Sequence, residues 1–134
     1  MNRIISIASV SAAFAVVMGA WTAHGLKQQV TESELEILKT ALQYQWYHTF
    51  ALFITGILIK LYPEIRGLHL VAYLFLSGIF LFSGALYLLV FTHTSLIGSI
   101  SPVGGAIWIV AWLQLSRIFF QQLRREEKPD KDSE

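Results

Sequence analysis

Four apolar stretches divided by short polar connectors set the pattern of this chain, at about 4–24, 33–61, 68–91 and 102–120. Each is long enough to cross a bilayer as a helix. The second stretch is the unusual one. It has no charge between Lys39 and Lys60, yet its first half holds Gln43, Tyr44, Gln45, Trp46, Tyr47 and His48. At helical spacing Thr40, Gln43, Tyr44, Tyr47, His48, Ala51 and Thr55 share one face. That face is expected to be covered by the other three segments.

The first segment sets Ala8, Ala12, Ala15, Gly19 and Ala23 at steps of four, three, four and four. Small residues in such a stripe let a neighbouring membrane helix approach closely, and the polar face of the second segment is its expected partner. Before the second segment, Thr31 with Glu34 and Ser33 with Glu36 make two overlapping capping boxes. They predict a helix start near Ser33, outside the membrane. Leu61–Gly67, with Pro63 inside it, is a loop. The third segment contains Ser83-Gly84, and 92–100 reads as an uncharged turn. The fourth opens with Ser101 as cap and Pro102 at the first helical position, where its missing N–H costs nothing. Gly104 and Gly105 permit close backbone contact, with the first segment as a candidate partner. Residues 121–134 form a charged tail, expected to fray.

Charge turns this pattern into a class. Only 14% of the 134 residues are charged, against about 25% in ordinary soluble domains. Residues 67–116 contain no Asp, Glu, Lys or Arg, so no charged outer face is available for a water-soluble bundle. The reading is all-α: an integral membrane bundle of four transmembrane helices, up-down-up-down. With four crossings, eight basic residues (Arg3, Lys60, Arg66, Arg117, Arg124, Arg125, Lys128, Lys131) fall on one side and two (Lys27, Lys39) on the other. The positive-inside rule then puts the N- and C-termini in the cytoplasm. The first segment is longer than a signal core, and Trp21-Thr22-Ala23 is a poor cleavage site, so it is expected to be retained. The chain has no cysteine, hence no disulfide or thiolate chemistry.

Depth along each helix brings His24, Gln43, Tyr44, Gln45, His48, Ser83 and Tyr87 into the outer half of this bundle, where they form a candidate ligand site or polar network. Gln43, Tyr44 and Tyr87 are the expected partners of His48. The layer can serve as structural glue between helices. It can also bind a lipid headgroup, quinone or similar amphiphile, or line a proton or solute path. The path is the weaker alternative, since no Asp, Glu, Lys or Arg lies at membrane depth. Ala12, Gly19, Ala23, Gly84, Gly104 and Gly105 are the positions expected to pack helices closely. His24, His48 and His93 match no metal-ligand spacing, and no triad, carboxylate pair or phosphate loop is present. No metal, no cofactor and no enzymatic activity are expected. Membrane lipids are the expected partners, then a second copy or another membrane protein, and not nucleic acid.

Four blocks in order, GAWTAHGL (19–26), TALQYQWYHTFAL (40–52), FSGALYLL (82–89) and SPVGG (101–105), resemble the YgdD/YwdK-like small membrane proteins. That family of unknown function occurs in bacteria and has mitochondrial relatives. Its signatures fall on Gly19, Ala20, Ala23 and His24; on Tyr44, Gln45 and His48; on Ser83, Gly84 and Tyr87; and on Pro102, Gly104 and Gly105. Trp21-Thr22 stands where many relatives carry Phe-Gly. The resemblance implies a four-helix membrane protein and no particular activity. With no presequence ahead of the first segment, the bacterial plasma (inner) membrane is the expected home.

Overall fold

A computed structural model describes residues 3–126, and they are helical almost throughout. Helix α1 runs through Arg3–Leu26, α2 through Glu32–Leu61, α3 through Gly67–Thr92 and α5 through Ser101–Glu126, with the short α4 (Ser95–Gly98) between the last two. Residues 121–126 thus extend α5, and 127–134 lie outside the described residues. In α1 and α3 the hydrogen bonding widens to a π turn at Thr22–Leu26 and Ile79–Gly84. Among the described residues, three helices are long and apolar enough to cross a membrane: Arg3–Leu26, Gly67–Thr92 and the run Ser95–Gln122. α2 is long enough, but Gln43, Gln45 and His48 dilute its hydropathy.

One of the two expected capping boxes forms. The Thr31 hydroxyl accepts the Glu34 N–H at 3.2 Å, and the Glu34 carboxylate accepts the Thr31 N–H at 2.8 Å. Glu36 instead pairs with Lys39, so the Ser33 box does not form and α2 begins at Glu32. At the end of α3, His93 takes the left-handed conformation (φ 53°) and its N–H returns to the Leu89 carbonyl at 2.9 Å. A glycine is usual there. Ser101 does not cap through its hydroxyl, which donates to the Gly98 carbonyl at 3.0 Å.

α2 is the axis of the molecule. Along α1 the residues Ile5, Ser11 and Gly19 meet Gly56, Thr49 and Leu42, so partners descend on α2 as they ascend on α1 and the pair is antiparallel. Gly67, Phe75, Gly78 and Phe82 of α3 meet Ile118, Trp112, Trp108 and Gly104 of α5, again in reverse order. Tyr44 and His48 of α2 lie against Phe82 and Phe75 of α3. The outward surface is apolar: Val10, Val17, Phe80, Ile109 and Leu113 are all exposed.

The buried seam of α1 is Ile4, Ala8, Ala15, Met18 and Thr22, with half-buried Ser11 completing the spacing. This corrects the stripe read from the sequence. Ala8 and Ala15 of the stripe lie in the seam, whereas Ala12 and Gly19 flank it and Ala23 is exposed, their places being taken by Ser11, Met18 and Thr22. Gly19 still faces Leu42 closely, a Cβ there falling 3.3 Å from its Cδ2. The partner of Gly104 is α3 and not α1: an added Cβ would lie 2.5 Å from the Phe82 backbone nitrogen. Gly105 makes only ordinary contact with Phe82, and a Cβ on Gly84 would make only ordinary contact, 3.8 Å from the Ile79 carbonyl oxygen.

Candidate functional site

Two clusters of polar residues lie on neighbouring sides of α2, centred three residues apart at Gln45 and His48. Gln45 centres the first, between α1, α2 and α3. Its Oε1 accepts the Tyr87 hydroxyl at 2.8 Å, and its Nε2 donates to the Ser11 carbonyl at 3.1 Å and the Ser11 hydroxyl at 3.3 Å. Ser11 and Thr49 share a hydroxyl–hydroxyl bond of 2.7 Å. Ser83, in the π turn of α3, donates to the Ala41 carbonyl at 2.7 Å. With few other partners in an apolar interior, these groups satisfy one another.

His48 centres the second cluster, toward α5. Its Nδ1 lies 2.8 Å from the Tyr44 carbonyl, which can only accept, so Nδ1 carries the hydrogen. The imidazole stacks on the Trp108 indole at 3.5 Å between centroids and 3° between planes. Trp108 sits in the gap left by Gly78 and donates its Nε1–H to the Phe75 carbonyl at 3.1 Å. Phe75, Phe82, Tyr44 and Trp112 complete the aromatic packing.

The single layer expected around His48 is therefore split. Tyr87 serves Gln45 and not His48; Tyr44 offers His48 its carbonyl rather than its ring hydroxyl. Gln43 is exposed and donates to the Tyr47 hydroxyl at 2.6 Å. His24 is exposed as well, its Nδ1 3.1 Å from the Ala20 carbonyl of its own helix. Neither reaches the interior. Ser11, Thr49 and Trp108 were not singled out as site residues from the sequence. Ser11 was discoverable, lying at heptad-like spacing between Ala8 and Ala15.

Beside the Gln45 cluster lies a groove of about 460 Å³ between α1 and α3. Ile7, Val10 and Phe14 form one wall, and Leu76, Ile79 and Phe80 the other. Gln45, Ser83 and Tyr87 belong to its lining but direct their polar atoms into the network. Gly84 keeps the α3 wall low, and exposed Val10 and Phe80 leave the groove open sideways. Among the described residues no three His, Asp or Glu gather as for a metal.

At the far end of α2, outside the apolar spans, Glu34 reaches His93 (Oε1 to Nδ1, 3.0 Å). Its carboxyl is held below the ordinary value of 4.5, first by the Thr31 N–H, next by the Thr31 hydroxyl, and more weakly by His93.

Residues 18–105 match the family model described as "Protein of unknown function (DUF423)". The UPF0382 membrane protein YwdK of Bacillus subtilis is 35% identical over 115 residues, covering 86% of this chain and 94% of the relative. The chain belongs to this family. A UPF0382 membrane protein of Staphylococcus epidermidis is 36% identical, with 86% and 93% covered. One of Haemophilus influenzae is 32% identical, with 86% and 91% covered. No solved structure matches the chain. The DUF423 match takes in all of α2 and α3, and with them both sides of the Gln45–Tyr87 bond; Ser11 and Trp108 lie just outside it. The protein is thus a helical member of a bacterial membrane-protein family.

Proposed function

We propose that this protein is a non-enzymatic, four-span protein of the bacterial plasma membrane, both termini cytoplasmic, that holds the hydrocarbon part of a lipid between α1 and α3. The groove carries the reading. Its volume of about 460 Å³ falls in the range of small-molecule sites, its walls are aliphatic and aromatic, and in a four-span arrangement it would open at the level of the acyl chains. The polar groups beside it are engaged with one another, which favours a hydrocarbon occupant over a headgroup at this level.

Four crossings are favoured by the place of α2. It packs on α1 and α3 in antiparallel fashion and turns Gln45, His48, Thr49 and Thr55 inward, so its low hydropathy does not count against it. The eight-to-two distribution of basic residues supports cytoplasmic termini. A proton path fits less well. The Tyr87–Gln45–Ser11 chain passes through a carboxamide, which does not readily exchange protons along a relay.

The test uses protein extracted with its surrounding lipid in copolymer discs. Gly84→Phe fills the groove from a position whose Cβ meets nothing closer than 3.8 Å, and Gly84→Ala is the control. Mass spectrometry should find a stoichiometric lipid with wild type and Gly84→Ala that Gly84→Phe lacks. Identical companions in all three folded proteins would sink the proposal.

A further inference from the structure

A second pocket, of about 720 Å³, lies at the Arg3 end of the bundle and is lined by Arg3, Ser6, Lys60, His69 and Tyr73 among others. Three helices contribute: Arg3 and Ser6 from α1, Lys60 from α2, and His69 and Tyr73 from α3. Its lining contains no carboxylate, and among the described residues neither Arg3 nor Lys60 has a carboxylate partner. Ser6 lines both this pocket and the apolar groove. From Arg3 to Phe14, α1 rises about 16 Å. That matches the depth of one leaflet's hydrocarbon, half of a core of about 30 Å.

We infer that pocket and groove form one site for an anionic phospholipid, its phosphate held by Arg3, Lys60 and the imidazole of His69, and one acyl chain running past Ser6 into the groove. The inference rests on the groove proposal and names its ligand. Arginine and lysine are the side chains suited to phosphate oxygens, and Tyr73, an exposed aromatic beside them, suits the level of the headgroups. The positive-inside rule accounts for basic residues at this end. It does not account for their lining one pocket that shares Ser6 with an apolar groove. Arg117, by contrast, lies in a different pocket together with Glu64.

The full chain is reconstituted into equal phosphatidylglycerol and phosphatidylethanolamine, released gently, and its retained lipid counted by native mass spectrometry. Wild type should retain phosphatidylglycerol about tenfold over phosphatidylethanolamine. The double variant Arg3→Gln, Lys60→Gln should retain lipid without preference, Arg3→Lys, Lys60→Arg should keep the preference, and Gly84→Phe should retain neither. Equal, groove-dependent retention of both lipids by wild type overturns this inference and leaves the groove proposal standing. A preference that survives in Gly84→Phe separates pocket from groove and overturns the single-lipid site. Displacement of the preference by millimolar inorganic phosphate, with total lipid unchanged, would identify a free-anion site and overturn the lipid assignment.

Discussion

Gln45 is bonded at both ends of its side chain, by the Tyr87 hydroxyl and by Ser11, in a position only 3% exposed. Truncating either partner leaves the other without a substitute, since lipid offers none. Gln45→Leu and Tyr87→Phe should each cost about 1 kcal/mol, with a coupling of roughly 0.6 kcal/mol in the double variant. Reversible unfolding in mixed micelles measures all three, and strict additivity would show that the bond contributes nothing. The glycines make a sharper contrast. A Cβ on Gly78 collides with the Trp108 indole, whereas one on Gly105 finds ordinary contact at 3.7 Å. Gly78→Ala should therefore destabilise by about 1–3 kcal/mol. It should also shift tryptophan fluorescence as Trp108 leaves His48. Gly105→Ala should do neither. Equal effects at the two positions would mean that the indole does not depend on that gap.

At the scale of elements, α2 owes its clean start to Thr31 and Glu34. Losing the cap in Thr31→Ala should cost about 1 kcal/mol. The Glu34 carboxyl, lowered from 4.5 by Thr31 and then His93, adds a pH dependence whose sign is fixed. The folded state favours the ionised form, so the contribution is complete above 4.5 and disappears as pH falls through the lower folded value. Hydrogen exchange across residues 31–35, corrected for intrinsic rates, should show protection declining in that acid range. In Glu34→Gln the decline should be absent; if it persists, another group is responsible. This start was legible in the sequence because a capping box is local. So was the helical pattern, because charge gaps and apolar length are read along the chain. The partners of the polar residues were not. Whether Tyr87 meets Gln45 or His48 depends on a turn of α2 by about 100° per residue. The stripe of small residues on α1 shared Ala8 and Ala15 with the seam but missed Ser11 and Thr22. Small size marks where helices can approach, and only packing decides where they do.

At the scale of the whole molecule, α2 decides the number of crossings. Its polarity sets it apart from the three helices that qualify as spans by composition. Yet of the side chains responsible, Gln45 and His48 are buried against α1, α3 and α5, where the lipid does not meet them, and exposed Gln43 is bonded to the Tyr47 hydroxyl. A helix of this kind is stable in a membrane once its neighbours are present, and weakly so alone. The chain lacks cysteine, so single cysteines report its topology without background removal. If α2 crosses, cysteines at Gln28 and Ser95 should react with a membrane-impermeant maleimide from outside the cell, and those at Glu64 and Gln122 only after lysis. If α2 stays on one side, Gln28 and Glu64 will label alike. That result would remove the four-span reading. It would also put Lys60 on the opposite face from Arg3 if α1 still crosses, and the anionic-lipid pocket would lose its second cation. The labelling experiment therefore constrains the ligand as well as the topology: a phosphate can be shared by Arg3 and Lys60 only if α1 and α2 traverse the same bilayer in opposite directions.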